Sequence, residues 1–261
     1  MRLLLVLLLV PAFLFAQDQK AGEKRDAKPK KKRAGELDIP DPGTPIEDSA
    51  TARQEISLFV AGMRKAESDK RRIELLQRLG NYDHPEIVKA AGKYLKHKNH
   101  PVVIAAVVTC ARQARAKDKA GSALLKQLKK EKRPKVLCAL LIGLGKLGCL
   151  HKRAVKEAVK YHDRDTTETH KAATRYFGYV KYKPAFKRLA SNLDEPMPDN
   201  PDDPTNPPAS WWKERNGEWN TNVPYTRWAL ARIVPGETFD SEEEAKQWAL
   251  TEGREHGIEW K

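Results

Sequence analysis

The stretch RPKVLCALLIGLGKLG, Arg133 to Gly148, constrains this chain more than any other. From Val136 to Gly145 it carries no charge and almost no polar side-chain atom. Pro134 stands where a first helical turn tolerates a missing N–H, and Gly148 where a helix stops. A helix that is apolar all round must be buried on several sides. This one is too short for a bilayer, which needs roughly 20 apolar residues. It is therefore predicted to sit in the middle of a pile of helices. Asn99 to Arg115, NHPVVIAAVVTCARQAR, is the same kind of object one step earlier.

The pattern around these two segments is periodic. Ile56, Phe59, Val60 and Met63 fall on one helical face. Ile73, Leu75, Leu76 and Leu79 form the next, and Pro85 opens another with Ile87, Val88, Ala91, Tyr94 and Leu95. His100-Pro101 and Arg133-Pro134 then start two apolar helices 33 residues apart, and Leu95 and Leu128 repeat at the same interval. Thr166 to Tyr179 and Pro184 to Leu193 make a fourth, more degenerate pair. Paired helices at a period in the low thirties predict an all-α chain, a short α-solenoid of about four pairs.

In these features the chain resembles the HEAT-repeat family. The carriers are the paired helices, the prolines near first-helix starts (Pro101, Pro134), and the Leu-Gly closings at Leu79-Gly80, Leu144-Gly145 and Leu147-Gly148. The resemblance covers about Asp69 to Leu193, with Ser49 to Glu67 as a leading helix. The arrangement is also similar to exported bacterial HEAT-repeat proteins with a Trp-rich C-terminal segment, here WWKERNGEW. That resemblance implies a binding or scaffolding role, with the second helices lining a concave surface.

The ends read differently. Met1 to Ala16, MRLLLVLLLVPAFLFA, has the basic start, Leu-rich run and small residues of a secretory signal. Cleavage after Ala16 or Ala12 is expected, with retention as an anchor the alternative. Export to the periplasm, cell envelope or exterior follows. Residues 17–48 form a linker, basic and then acidic, with too few apolar groups to order themselves. Residues 49–193 are the solenoid. Residues 194–209 are a Pro- and Asp-rich spacer. Residues 210–261 hold all 6 tryptophans and are predicted to form a small module of three short helices, with Pro224 starting the second.

Charge separates along the chain. Ser49 to Asn192 holds 33 Lys and Arg against 12 Asp and Glu, whereas Leu193 to Lys261 holds 7 against 15. A basic middle with an acidic end predicts an anionic partner, or contact between the two parts. The 3 cysteines, Cys110, Cys138 and Cys149, leave one unpaired in any intrachain scheme and show no ligand spacing. They read as small core residues.

Two constellations stand out. In the second helices, Lys89, Lys93 and Lys96 share a face. Lys126 and Lys129 recur one repeat on, and Arg153, Lys156 and Lys160 continue the row. Together they predict a basic stripe able to hold a polyanion with steep salt dependence, or a solvated face. Trp211, Trp212, Trp219 and Trp228 are either a contact platform or the core of a capping module. His162, Asp163, Asp165, Glu168 and His170 form a dense polar patch that matches no named metal site. It reads as a turn, with Asp165 or Thr166 capping the next helix. No HExxH, G-x-S-x-G or phosphate-binding glycine loop occurs. The expected function is thus a non-enzymatic binder of a protein or peptide, without metal or cofactor and without a transmembrane span in the mature chain. The alternative is a binder of nucleic acid or charged envelope glycan. HEAT-like DNA glycosylases, which use a basic concave face with Trp, are the minor enzymatic alternative.

Overall fold

The computed structural model of the chain describes residues 44–163, 167–198, 200 and 203–260. The signal segment, most of the linker, the Asp165 or Thr166 cap, and Asp199, Pro201 and Asp202 of the spacer lie outside the described residues. Among those described there are eleven α-helices, and the one β-type pairing is an isolated bridge between Ile46 and Tyr82.

The helices start and stop for local reasons. Asp48 caps α1 (Ser49–Lys65) and Ser68 caps α2 (Asp69–Leu79), each accepting a backbone N–H of the first turn. Proline occupies the first turn of α3 (Pro85–Gly92), α4 (His100–Ala111) and α6 (Pro134–Lys146). Histidine does the capping at two starts. His84 Nδ1 accepts from Glu86 N–H ahead of α3, and His151 Nδ1 accepts from Arg153 N–H ahead of α7 (Lys152–His162). Gly148 adopts φ +67 after α6, and Cys149 N–H closes back on the Leu144 carbonyl at 3.0 Å. That is the Schellman stop the glycine predicted.

The elements form two rows. In the first, α2 packs on α4, α4 on α6, α6 on α8 (Thr167–Val180), and α8 on α10 (Ala209–Ile233). In the second, α3 packs on α5 (Lys117–Leu128) and α5 on α7. Helix α9 (Phe186–Ala190) touches α10 and α11 (Glu242–Thr251). Buried apolar side chains from Phe59 to Ile258 form one cluster. Leu140, Leu141 and Leu144 of α6 have no exposed surface. The apolar helix is therefore central, as its composition demanded.

Polar bridges tie one turn to the next. Gln113, fully buried, donates to the Tyr82 and Thr109 carbonyls and accepts from His84 N–H. Asp83, also buried, accepts Arg115 N–H at 3.0 Å. Glu131 accepts from Arg133 Nε and Nη2 at 2.7 Å each, and Arg133 Nη1 reaches the carbonyls of His97 and Lys98.

Four features differ from the sequence reading. The Trp-rich segment contains two α-helices, not three. Residues 209–233 run as one helix through Pro224, which removes one N–H from the ladder without ending it, because α8 and α9 hold the helix along its length. Nor does this segment build a core of its own. Val223, Ala229, Leu230 and Ile233 join the common cluster, and Trp248 packs on Phe186 of α9. The predicted helix from Pro85 to Lys96 is α only to Gly92, and Lys93–Lys96 form a 3-10 turn. Finally, order begins before Ser49. Ile46 N–H donates to the Asn81 carbonyl at 2.8 Å, and Asp83 N–H donates to the Ile46 carbonyl at 3.0 Å.

Candidate functional site

The predicted basic stripe falls on the second row. Lys89 belongs to α3, and Lys93 and Lys96 to the 3-10 turn after it, where side chains three apart lie one above the other. Lys126 is in the last turn of α5 and Lys129 caps its end. Arg153, Lys156 and Lys160 belong to α7. All are exposed except Arg153, which is half-buried. Among the described residues only Lys160 of this set has an acidic partner, Glu157 at 3.8 Å. The remaining lysines carry positive charge to solvent on α3, the 3-10 turn after it, α5 and α7, of which α3, α5 and α7 pack in succession.

Part of this face is concave. A groove between α3 and α5 is lined by Pro85, Val88, Gly92 and Ala123, with Lys89, Lys93, Lys119 and Glu86 around it. Its floor is apolar and its rim mainly cationic. Lys119 was missed in the sequence because it does not share the stripe's spacing. The contact of α3 with α5 brings it beside Lys89.

The tryptophans divide by role. Trp248, in α11, is buried against Phe186 and Phe239. Trp228 lies over Gly178 and edges Tyr179 at 5.0 Å. Trp219 donates from Nε1 to the Leu193 carbonyl at 3.3 Å, which pins the start of the spacer. Trp248 and Trp219 are packing groups, and Trp228 packs on α8 while its side chain stays half-exposed. Trp211 and Trp212, in the first turn of α10, meet edge to face at 4.6 Å, and Arg215 lies over the Trp211 ring at 5.0 Å. Trp211 is exposed. The four candidate tryptophans therefore do not make one platform.

A larger cleft of about 1260 Å³ opens where α8, α9, α10 and the chain end meet. Its walls mix both signs of charge, with Lys183, Arg188 and Arg254 facing Asp194, Glu195 and Glu218. At one edge the His162 and His170 rings lie side by side, centroids 4.2 Å apart and tilted by 34°. His170 Nδ1 is 2.8 Å from the His162 carbonyl, so that nitrogen carries the proton and Nε2 the lone pair. Both Nε2 atoms are buried without a hydrogen-bond partner. Burial first, then the charge of His170 and of Arg188, pushes His162 down to about 2, and burial also lowers His170. Both rings are neutral at physiological pH, in a setting that suits packing. Cys110 and Cys138 are pushed up by burial, to about 12 and about 11, so neither is a ready thiolate. Among the described residues no group of three or more His, Cys, Asp or Glu could hold a metal ion, and no helix is long and apolar enough to cross a membrane.

In comparisons with known proteins, no family model matches this chain and no curated protein is significantly similar to it.

Proposed function

We propose that this chain is a non-enzymatic protein-binding module, a HEAT-like α-solenoid whose second-row face holds an acidic, extended segment of a partner protein. The observation that carries the reading is the groove between α3 and α5, with its apolar floor of Val88 and Ala123 and its rim of Lys89, Lys93 and Lys119. An extended peptide with acidic side chains and an occasional apolar one matches both parts. The two rows, and the roughly 33-residue spacing of Pro101 and Pro134, support the solenoid reading. The signal-like pattern of Met1 to Ala16 supports an encounter outside the cytoplasm.

The test is binding of a labelled Glu-rich peptide containing Leu to the full chain, against the Lys89→Glu, Lys93→Glu double variant. Affinity is expected to fall about tenfold or more in the variant, and to weaken with salt in the native chain. Unchanged affinity in the variant would sink the proposal.

A second reading has one observation of its own. The unpaired lysines extend past the groove, from Lys126 and Lys129 to Lys156 on α7. That extension favours an anionic polymer tracking the whole row. Its signature is a steep loss of affinity with salt and equal sensitivity to charge reversal at Lys126 and Lys156.

A further inference from the structure

The first row carries a second charged surface that the lysine stripe does not include. On α8, Arg175 and Tyr179 are one turn apart, and on α10, Tyr225, Trp228 and Arg232 fall on one face. The two helices pack together in parallel: Thr167 reaches Glu218, whereas Gly178, further along α8, meets Trp228 and Ala229. Cations and rings interleave across this surface. Lys146, at the end of α6, lies 5.9 Å from the Tyr179 ring. The Arg232 guanidinium is 5.8 Å from the Tyr179 ring and 5.3 Å from that of Trp228. Near the middle of α8, Lys171 and Arg175 sit 5.8 and 5.9 Å from the Tyr225 ring.

Packing alone leaves these groups incompletely matched. Lys171 pairs with Glu168, whose side chain is 80% exposed, but Lys146, Arg175 and Arg232 have no carboxylate partner among the described residues. Arg175 Nε is buried without an acceptor. Tyr179, Tyr225 and Trp228 stay half-exposed, and Lys146 and Arg232 are exposed. Each cation lies within about 6 Å of an aromatic ring and Arg232 Nε also donates to the Gly178 carbonyl at 3.1 Å, so a ligand meets charges whose side-chain freedom is already reduced.

A ligand that presents anionic groups beside flat aromatic faces is a single-stranded nucleic acid. Its phosphates suit the cations and its bases suit the ring edges and guanidinium planes. A duplex offers phosphates but keeps its base faces stacked, and would leave the aromatic groups unused. We infer that the outer face of α6, α8 and α10 is a binding surface for single-stranded nucleic acid, built from Lys146, Arg175 and Arg232 on Tyr179, Tyr225 and Trp228. This surface is separate from the lysine face of the second row and does not depend on it.

The experiment uses the full chain and a fluorescent oligothymidylate of about 20 nucleotides, with inorganic polyphosphate of matched charge and a sulfated glycan as rival ligands. The variants are Arg175→Glu and Tyr225→Ser, and the control is a double reversal of equal charge outside every proposed site, Lys65→Glu, Lys70→Glu, both exposed. The expected result is oligothymidylate binding that weakens steeply with salt and falls about tenfold in Arg175→Glu and about fivefold in Tyr225→Ser. The control stays within about twofold, and polyphosphate and sulfated glycan bind at least about tenfold more weakly. Absence of oligonucleotide binding at low salt would overturn the inference. So would equal binding of either rival ligand, or an equal loss in the control. Should Arg175→Glu fail to fold, undiminished affinity in a folded Tyr225→Ser protein would overturn it alone.

Discussion

Gly178 of α8 lies directly beneath the indole of Trp228: a β-carbon on this glycine would sit 2.4 Å from Trp228 Cζ3 and 2.9 Å from the Ala229 Cα. The second distance is to backbone, so no rotamer change relieves it. This single absent methyl group sets how closely α10 approaches α8. Gly178→Ala is expected to destabilise the chain by about 1–3 kcal/mol, the usual cost of overpacking a tight contact. The thermal midpoint and the tryptophan emission should shift together, because the displaced helix carries Trp228. A midpoint equal to that of the native chain would show that α10 can back away freely.

Gln113 bridges two successive helix pairs and is fully buried. Gln113→Leu keeps the volume roughly constant but leaves the Tyr82 carbonyl and His84 N–H without their partner. About 2–4 kcal/mol of stability should be lost in chemical denaturation, since each orphaned buried group costs about 1–3 kcal/mol. A loss under about 0.5 kcal/mol would mean that water reaches the site.

Glu131 has a side chain only 4% exposed and is held by Arg133, Gln127 and the Lys132 N–H. The Arg133 guanidinium, opposed by partial desolvation, keeps its carboxyl down to about 2. A carboxylate lowered on folding adds stability that is complete above its unfolded value and is lost as pH falls toward 2. Glu131→Gln should remove that acid-side dependence and cost about 1–3 kcal/mol at pH 7. Denaturation curves at pH 7 and pH 3 should differ less for the variant than for the native chain.

The two adjoining histidines act over a different window. His162 is depressed to about 2 in the folded chain, while its unfolded value is about 6.5. Below about pH 6.5 the unfolded state takes up a proton that the folded state refuses, so stability falls as pH falls. For one such group the slope is about 1.4 kcal/mol per pH unit. His162→Phe removes the titrating group beside Phe177 and His170, and is expected to flatten the stability profile between pH 6.5 and pH 5. An unchanged slope in that interval would assign the dependence to other groups.

The exposed lysines of the second row make a contrasting case. Lys93→Glu with Lys126→Glu should leave the thermal midpoint nearly unchanged, within about 0.5 kcal/mol, because neither side chain has an ion-pair or hydrogen-bond partner to lose among the described residues. A strong loss of stability would mean that these lysines hold the fold and are not free for a ligand.

Much of the fold was legible because it rests on local chemistry. The apolar run from Val136 to Gly145 had to be enclosed, Pro85, Pro101 and Pro134 had to start helices, and Gly148 had to end one, and each does so. The lysines of the stripe were legible as exposed for the same reason, since a run of charge at helical spacing stays in water.

What the sequence could not decide was which distant groups would meet. Pro224 carries a local signal to start a helix, yet α10 passes through it, because packing on α8 and α9 outweighs one missing hydrogen bond. Trp211, Trp212, Trp219 and Trp228 share a segment but not a surface, because α10 turns one side to α8 and another to the spacer. Lys119 joins Lys89 and Lys93, and Arg232 joins Tyr179, through contacts between helices dozens of residues apart. By itself the sequence determined that the chain is helical, that Pro85, Pro101 and Pro134 start helices and Gly148 ends one, and the sign of the exposed face, since propensity, capping and solvation act within a few residues. Only the tertiary structure decided which faces are joined into surfaces, since that depends on side-chain volumes brought together across the rows, down to the missing β-carbon of Gly178.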